Sequence, residues 1–240
     1  MKSNHSAYHH LASVDRIDEI LAAGDQVYQE VDGIPFRDLL TASNGFYVNC
    51  SALFIDVRNS SSLPDRYKRR TLAKIYRAYI SEAVAVINGN ADCKEIMIIG
   101  DAVSAVFDTP SEAQINRVFE TAGQLNSLVD LINCRLKRNA IEPIRVGIGI
   151  SYGQALMIKA GHKGSMISDV VWMGHVVNRA AKLCSLGGKD EADPPIIIDS
   201  VFADRLKADY KQWLSDSRSG YYTANVANKV MAAWLDDHCK

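Results

Sequence analysis

The chain has 240 residues, and 48% of them are hydrophobic, which fits one large domain or one domain with an extension. Its 27 Lys and Arg against 28 Asp and Glu give a net charge of −1, which argues against a nucleic-acid-coating surface. No apolar run approaches the roughly 18 residues that a bilayer-spanning helix needs, and the first residues lead into no apolar signal region. We therefore expect a cytoplasmic protein with no membrane or nucleic-acid partner.

The cysteine pattern points to a reducing compartment. The cysteines are odd in number, scattered along the chain and without a C-x-x-C pair, which argues against a disulfide framework or a zinc site. We expect reduced, mostly structural thiols at Cys50, Cys93, Cys134, Cys184 and Cys239.

The first part of the chain predicts an extension followed by a strand and a helix. Residues 1–45 are expected to be a largely helical extension, because apolar residues recur at helical spacing over 14–21, and residues 46–240 are expected to form the main domain. A strand is predicted over 47–56. Hydroxyl side chains followed by proline then signal the start of a helix over 64–88.

The second part alternates strands and helices. Two strands are predicted at 95–99 and 102–108, followed by a long helix over 111–139. Residues 145–151 and 154–160 alternate in polarity and predict a hairpin about Tyr152 and Gly153. The remaining predicted elements are a strand at 170–172, a helix at 174–185, a strand at 195–199, a short helix at 201–207, and a helix or strand at 229–236.

This order of elements predicts the fold class. Strand–helix–strand–strand–helix–strand is the order of a ferredoxin-like α+β domain, in which a central, mostly antiparallel sheet is flanked by helices. Many unrelated functions use that fold, so it defines no activity by itself.

Two aspartates stand where apolar strands end. Asp56 follows the apolar stretch 53–55, and Asp101 follows the stretch 96–99 and one glycine. A carboxylate at the end of a buried strand costs desolvation free energy unless a cation or hydrogen-bond donors face it. Two carboxylates on adjacent strands would make an oxygen-rich site for Mg²⁺ or Mn²⁺, which suits phosphoryl or nucleotidyl chemistry.

Four segments, in order, resemble one family. Residues 54–61 (FIDVRNSS) resemble the first metal segment of the class III nucleotidyl cyclase catalytic domain, and Gly100-Asp101 resembles its second metal corner. Residues 145–153 (RVGIGISYG) are similar to its arginine-led strand, and residues 174–183 (GHVVNRAAKL) to its Val-Asn-x-Ala-Ala-Arg helix. The resemblance covers about residues 48–199, so residues 46–240 would be the catalytic domain.

The resemblance implies a head-to-tail homodimer with two composite active sites. Asp56 and Asp101, with the carbonyl of Val57, would hold two Mn²⁺ or Mg²⁺ ions that activate the ribose 3′-hydroxyl for attack on the α-phosphorus. From the other subunit, Asn178 would position the ribose and Lys182 would face the α-phosphate. The β- and γ-phosphates would lie against backbone N–H groups of Arg58, Asn59, Ser60 and Ser61. The products would be a 3′,5′-cyclic nucleotide and diphosphate.

The base pocket departs from the purine cyclases of this family. Their two polar base-reading positions fall here on Met97 and Val171, which cannot hydrogen-bond a purine edge. Lys182 also replaces the usual arginine and lacks its planar fork. Compact cyclases with such a pocket resemble the pyrimidine cyclases of Pycsar antiphage systems, whose cyclic UMP or cyclic CMP activates a separate effector.

We therefore expect a pyrimidine nucleotidyl cyclase, with UTP favoured over CTP. No residue identified in the sequence separates uracil from cytosine. The alternatives are a cytidylate cyclase, an adenylate or guanylate cyclase with an atypical base readout, and a catalytically dead module that binds nucleotide.

Overall fold

The computed structural model describes residues 5–162, 167–217 and 219–239. In those ranges the chain forms nine strands and eight α-helices. The strands are β1 (Tyr28–Glu30), β2 (Gly45–Val57), β3 (Cys93–Ile99), β4 (Ala102–Asp108), β5 (Val146–His162), β6 (Ile167–Met173), β7 (Ile196–Asp199), β8 (Ser215–Asp216) and β9 (Tyr221–Ala224). The α-helices are α1 (His10–Leu21), α2 (Leu63–Arg66), α3 (Arg69–Asn88), α4 (Glu112–Arg138), α5 (His175–Cys184), α6 (Ser200–Asp204), α7 (Ala208–Lys211) and α8 (Lys229–His238). None of these helices is both long and apolar enough to cross a membrane.

Four strands form the predicted ferredoxin-like core. Their order across the sheet is β3-β4-β2-β5, and each neighbouring pair is antiparallel. Helix α3 connects β2 to β3, and α4 connects β4 to β5, as the sequence predicts. β7, β9 and β8 extend the sheet beyond β5, while β1 pairs with the start of β2 and β6 with the end of β5. The prediction of an α+β fold with a mostly antiparallel sheet is confirmed.

β5 is one long strand, so the predicted hairpin is wrong. Tyr152 and Gly153 continue β5 opposite Ser51 and Cys50 of β2, and β2 pairs with β5 along its whole length. The ladder of hydrogen bonds to β2 keeps the backbone of these two residues extended. The chain reverses only after His162, since β6 runs antiparallel to the second half of β5.

One other predicted helix differs in detail, and the structure decides the alternative that the sequence leaves open for the tail. The helix expected over 64–88 is divided into α2 and α3, because Tyr67 and Lys68 adopt extended ψ angles of 140° and 148°. The tail, which the sequence left open between helix and strand, is helical in α8.

One cysteine pair is oxidised. Cys134 in α4 and Cys239 after α8 form a disulfide with a Cα–Cα distance of 5.8 Å, so the prediction of reduced thiols is wrong for this pair. Cys50 and Cys184 are free and buried, and Cys93 is free and half-buried. Burial raises the pKa of the Cys50 and Cys184 thiols to about 12, which fits a structural role.

The sheet has an apolar cluster on each face. Helices α3 and α4 cover the larger cluster, with Tyr79 and Phe119 fully buried in it. The smaller cluster lies under α5 and β6 and includes Trp172. The segment before β2 also contributes, since Leu40 is buried in the smaller cluster and β1 pairs with β2, whereas α1 buries no residue. The division into domains at residue 45 stays a prediction.

Helix α5 lies directly on the backbone of β5. A Cβ atom added at Gly149 would lie 2.1 Å from both the carbonyl oxygen of Ala180 and the backbone nitrogen of Cys184. A Cβ at Gly147 would lie 2.2 Å from the carbonyl oxygen of Cys184. Two residues without side chains therefore allow the helix backbone to approach the strand, and any side chain there would push α5 away.

We expect Gly149→Ala to destabilise the protein by about 1–3 kcal/mol or more, because the new methyl group overlaps the backbone of α5. Urea unfolding at neutral pH measures the change in free energy of unfolding. Gly153→Ala in the same strand is the matched control, since its Cβ would meet only the Cβ of Val176 at 3.6 Å, an ordinary contact. Equal stability of the two variants would contradict this account of how α5 packs.

Candidate active site

Asp56 and Asp101 meet at one edge of the sheet. Asp56 is the penultimate residue of β2, and Asp101 lies in the turn between β3 and β4, after Gly100 with a φ of 65°. Because β4 pairs with β2, this turn brings the second carboxylate beside the first. Burial, and then the charge of Asp101, raise the pKa of Asp56. The structure thus brings together the two aspartates that the sequence singled out.

Arg58 partly neutralises this pair. Its Nη2 donates to Oδ2 of Asp56 at 3.0 Å, and it lies 3.9 Å from Sγ of Cys184 in α5. Its positive charge opposes the rise in the pKa of Asp56. One guanidinium nevertheless faces two carboxylates, and among the described residues Oδ2 of Asp101 is buried without a hydrogen-bond partner.

Two tyrosines of α3 complete the surroundings of the carboxylates. Burial and the charges of both aspartates raise the pKa of Tyr76 and of Tyr79. The hydroxyl of Tyr79 is buried without a partner in the described part of the chain, and that of Tyr76 donates to the carbonyl of Ser60 at 3.3 Å. Tyr79 belongs to the larger apolar cluster, and nothing in the local sequence pattern indicates which carboxylates lie near its hydroxyl.

The segment after β2 turns sharply into a cavity. Asn59 adopts a left-handed φ of 55°, a conformation that Asn tolerates better than most residues, and a 3-10 turn follows over Ser60–Ser62. The backbone N–H and the hydroxyl of Ser62 both donate to the carbonyl of Asn59, at 3.0 and 2.8 Å. A cavity of about 490 Å³ is lined by Arg58, Asn59, Ser61, Ser62, Leu63, Arg66, Pro143, Ile144 and Arg145.

This cavity carries positive charge and joins the carboxylate pair through Arg58. Arg66 and Arg145 line it as well, although Arg66 also pairs with Glu142 at 2.5 Å. Sequence reasoning placed backbone N–H groups here but missed these two arginines. Arg66 is the last residue of the short helix α2, and Arg145 directly precedes β5, so neither position alone indicated that they face one cavity.

Met97 and Val171 lie on β3 and β6. Met97 is half-buried and packs against the smaller apolar cluster. Val171 is half-buried opposite Ile158. Polar side chains stand next to both positions: Nη2 of Arg37 lies 2.5 Å from Asp169, and its Nε lies 3.5 Å from Glu95. Arg37, Glu95 and Asp169 were not identified from the sequence as neighbours of these positions.

Asn178 and Lys182 face outward on α5. They are one turn apart and exposed, while Val176, Ala180 and Cys184 turn toward the sheet. Within the described residues neither side chain makes a hydrogen bond or an ion pair. The structure therefore does not bring them to Asp56 and Asp101 of the same chain.

The aspartate pair and nearby carbonyls are the possible metal ligands at this corner of the described structure. The described ranges contain no group of three or more His, Cys, Asp and Glu side chains arranged to hold a metal ion. Two carboxylates and a carbonyl such as that of Val57 supply hard oxygen ligands, which divalent cations of the Mg²⁺ type prefer. The residues present therefore fit such ions if a substrate provides the remaining oxygens.

Comparisons with known proteins agree with this geometry. Residues 44–196 match the adenylate and guanylate cyclase catalytic domain. A curated relative, "Uridylate cyclase" from Gulbenkiania mobilis, is 41% identical and aligns over 99% of this chain and 100% of its own length.

Two solved structures from Pseudomonas aeruginosa share the fold. The adenylyl cyclase CyaB has a TM-score of 0.64 at 15% identity, over 78% of this chain and 98% of its own. A class III adenylyl cyclase-like ATP-binding protein has a TM-score of 0.71 at 21% identity, over 92% of this chain and 49% of its own. The ferredoxin-like sheet, the paired aspartates and the matched residues lead to one conclusion: the chain belongs to the adenylate and guanylate cyclase catalytic domain family, the class III nucleotidyl cyclases.

Proposed function

We propose that this protein is a pyrimidine nucleotidyl cyclase that converts UTP to 3′,5′-cyclic UMP and diphosphate. The observation that carries the proposal is the paired, incompletely neutralised carboxylates of Asp56 and Asp101 beside an arginine-lined cavity. Full-length similarity to a uridylate cyclase supports the choice of substrate.

The carboxylate pair supports a role for divalent cations. Asp56 and Asp101 would hold two Mn²⁺ or Mg²⁺ ions together with the carbonyl of Val57. When bound, such ions lower the pKa of a ribose 3′-hydroxyl and stabilise charge on the phosphates. In the described part of the chain, Oδ2 of Asp101 is buried without a hydrogen-bond partner and Arg58 is the one guanidinium paired with Asp56, so the pair can accept additional positive charge.

The cavity supports triphosphate binding. Arg58, Arg66 and Arg145 bring positive charge to a space of about 490 Å³, which attracts the β- and γ-phosphates. Backbone N–H groups of Asn59, Ser60 and Ser61 would donate to phosphate oxygens. These contacts would leave the α-phosphorus next to the carboxylate pair.

The exposed face of α5 supports a composite site in a head-to-tail homodimer. Asn178 would position the ribose, and Lys182 would stabilise the charge that develops on the α-phosphate. Both side chains are exposed on the face of α5 opposite the one that packs on the sheet. A second copy of the chain would therefore have to bring them to the carboxylates.

The base positions support a pyrimidine. Met97 and Val171 offer no hydrogen bond to a purine edge, which weakens the adenylate and guanylate cyclase alternatives. They do not separate uracil from cytosine, and similarity to a uridylate cyclase at 41% identity favours uracil over the cytidylate alternative.

The cellular role that we propose follows from the resemblance to Pycsar cyclases. Cyclic UMP would act as a second messenger in antiphage defence and would activate a separate effector protein. The enzyme would work in the cytoplasm, where its nucleoside triphosphate substrate is found.

We expect the purified protein, given equal ATP, GTP, CTP and UTP with Mn²⁺, to form cyclic UMP as its main product, identified by mass spectrometry. Asp56→Ala should abolish this product, because one of the two carboxylates that hold the ions is lost. A main product of cyclic AMP or cyclic GMP would refute the base assignment, and full turnover by Asp56→Ala would refute the metal assignment.

Without divalent cations, Asp101→Asn should raise the melting temperature near neutral pH, because it removes the carboxylate that repels Asp56. Since the pKa of Asp56 is raised in the folded protein, ionising it costs stability as the pH rises, and protonating it removes the cost. The advantage of the variant should therefore shrink as the pH falls toward the ordinary range of aspartate. Mn²⁺ should raise the melting temperature of the wild type but not of the variant.

The melting temperatures are measured by thermal unfolding in EDTA and in Mn²⁺, from neutral pH down to the ordinary pKa range of aspartate. Asp237→Asn, an exposed position on α8, is the control and should behave as the wild type. A variant that is less stable than the wild type in EDTA, or that still gains stability from Mn²⁺, would contradict the carboxylate-pair account.

Co-expression of Asp56→Ala with Asn178→Ala should restore about a quarter of wild-type activity, since half of randomly formed dimers are mixed and each has one intact site of two. Each variant alone should be inactive. Asp56→Ala with Asp101→Ala is the matched control, because both residues belong to the same half-site and every mixed dimer then lacks one aspartate in each site. Equal recovery of activity in both mixtures would rule out the composite site. An isolated mixed dimer of Asp56→Ala and Asn178→Ala that shows no activity would also rule it out.

A further inference from the structure

Three charged side chains from distant segments meet beside the base positions. Arg37 lies in a 3-10 turn (Arg37–Leu39) of the segment before β2. Its Nη2 donates to Oδ1 of Asp169 on β6 at 2.5 Å, and its Nε lies 3.5 Å from Oε2 of Glu95 on β3. The guanidinium therefore bridges the two strands on which Met97 and Val171 lie.

The register of both strands places this charged group next to Met97 and Val171. Glu95 precedes Met97 by two residues on β3, and Asp169 precedes Val171 by two residues on β6. Alternate residues of a strand share one face, about 7 Å apart. If Met97 and Val171 line the base pocket, as the proposed function holds, Arg37 and its two carboxylates stand at the end of that pocket.

Arg37 has N–H donors that its two ion pairs do not use. A guanidinium carries five N–H groups, and only the two contacts with Glu95 and Asp169 engage it among the described residues. About half of its side chain, 53%, is exposed, so the remaining N–H groups are accessible to a ligand.

Glu95 supplies an acceptor held in place. Its side chain is only 13% exposed. Burial raises the pKa of Glu95, and the charge of Arg37 opposes that rise. A fixed donor and a fixed acceptor therefore lie side by side, where Met97 and Val171 offer neither.

Uracil and cytosine differ in the order of their polar groups at this edge. Uracil has an acceptor, O4, next to a donor, N3–H, whereas cytosine has a donor, the 4-amino group, next to an acceptor, N3. A guanidinium opposite position 4 and a carboxylate opposite position 3 match uracil. For cytosine in the same pose, they would set donor against donor and acceptor against acceptor, which leaves buried polar groups unpaired.

We propose that Arg37 is the residue that selects uracil over cytosine, donating to O4 while Glu95 accepts from N3–H. The inference rests on the proposed function and adds the residues that read the base. It also gives the segment before β2 a role in substrate choice.

The test compares UTP and CTP as alternative substrates of the full chain. Arg37→Ala should lower kcat/KM for UTP by roughly 10- to 100-fold relative to that for CTP, because O4 loses a charged donor. Arg37→Lys should restore part of the preference, since lysine keeps the charge without the planar fork. Titration with non-cyclisable UTP and CTP analogues should show the same change in affinity, independently of turnover.

Arg117→Ala is the matched control. Arg117 also pairs with a carboxylate, donating to Asp92 at 2.6 and 2.9 Å, but it lies on α4 and lines none of the cavities described above. This variant should keep the wild-type UTP-to-CTP ratio, and melting temperatures should show that all variants are folded.

Glu95→Gln provides a second variant that tests the acceptor. A glutamine amide can donate to N3 of cytosine, so the use of CTP relative to UTP should rise. If Arg37→Ala and Glu95→Gln both keep the wild-type ratio while the wild type makes cyclic UMP, the inference is wrong and the proposed function stands. A wild type that makes no cyclic UMP overturns both.

Discussion

The close approach of α5 to β5 is the constraint on which the rest of the site depends. Gly147 and Gly149 leave no room for side chains between the strand and the helix backbone. This contact decides which residues of α5 face the sheet and which, including Asn178 and Lys182, face outward. It also brings the end of α5 to Arg58, and through Arg58 to Asp56 near the end of β2.

The carboxylate pair is costly to the isolated fold. Among the described residues, Asp56 and Asp101 share a half-buried corner with one opposing guanidinium, and their charges add to the effect of burial in raising the pKa of Tyr76 and Tyr79. A protein selected for stability alone would replace one carboxylate by a neutral side chain. The fold retains both, which is expected where charge is kept ready for a cationic ligand rather than for packing.

Local signals predicted much of this architecture. The aspartates follow apolar strands, the order of elements matches the sheet, and the helix of Asn178 and Lys182 lies within the predicted range 174–185. The hairpin about Tyr152 and Gly153 was wrong because pairing with β2, a distant strand, overrides a local turn signal.

Two further features were not predicted, because each joins residues that are far apart in the sequence. The disulfide joins residues 105 positions apart, and Arg37 reaches Asp169 across 132 positions. The disulfide itself closes residues 134–239 into a covalent ring. This ring contains Val171, Asn178 and Lys182 but not Asp56 or Asp101. A cut in the chain inside this ring releases no fragment until a reductant opens it. In the loop-entropy account, a ring of this size restricts the unfolded chain by about 4–5 kcal/mol, so the resistance of this enzyme to unfolding depends on the redox potential of its surroundings.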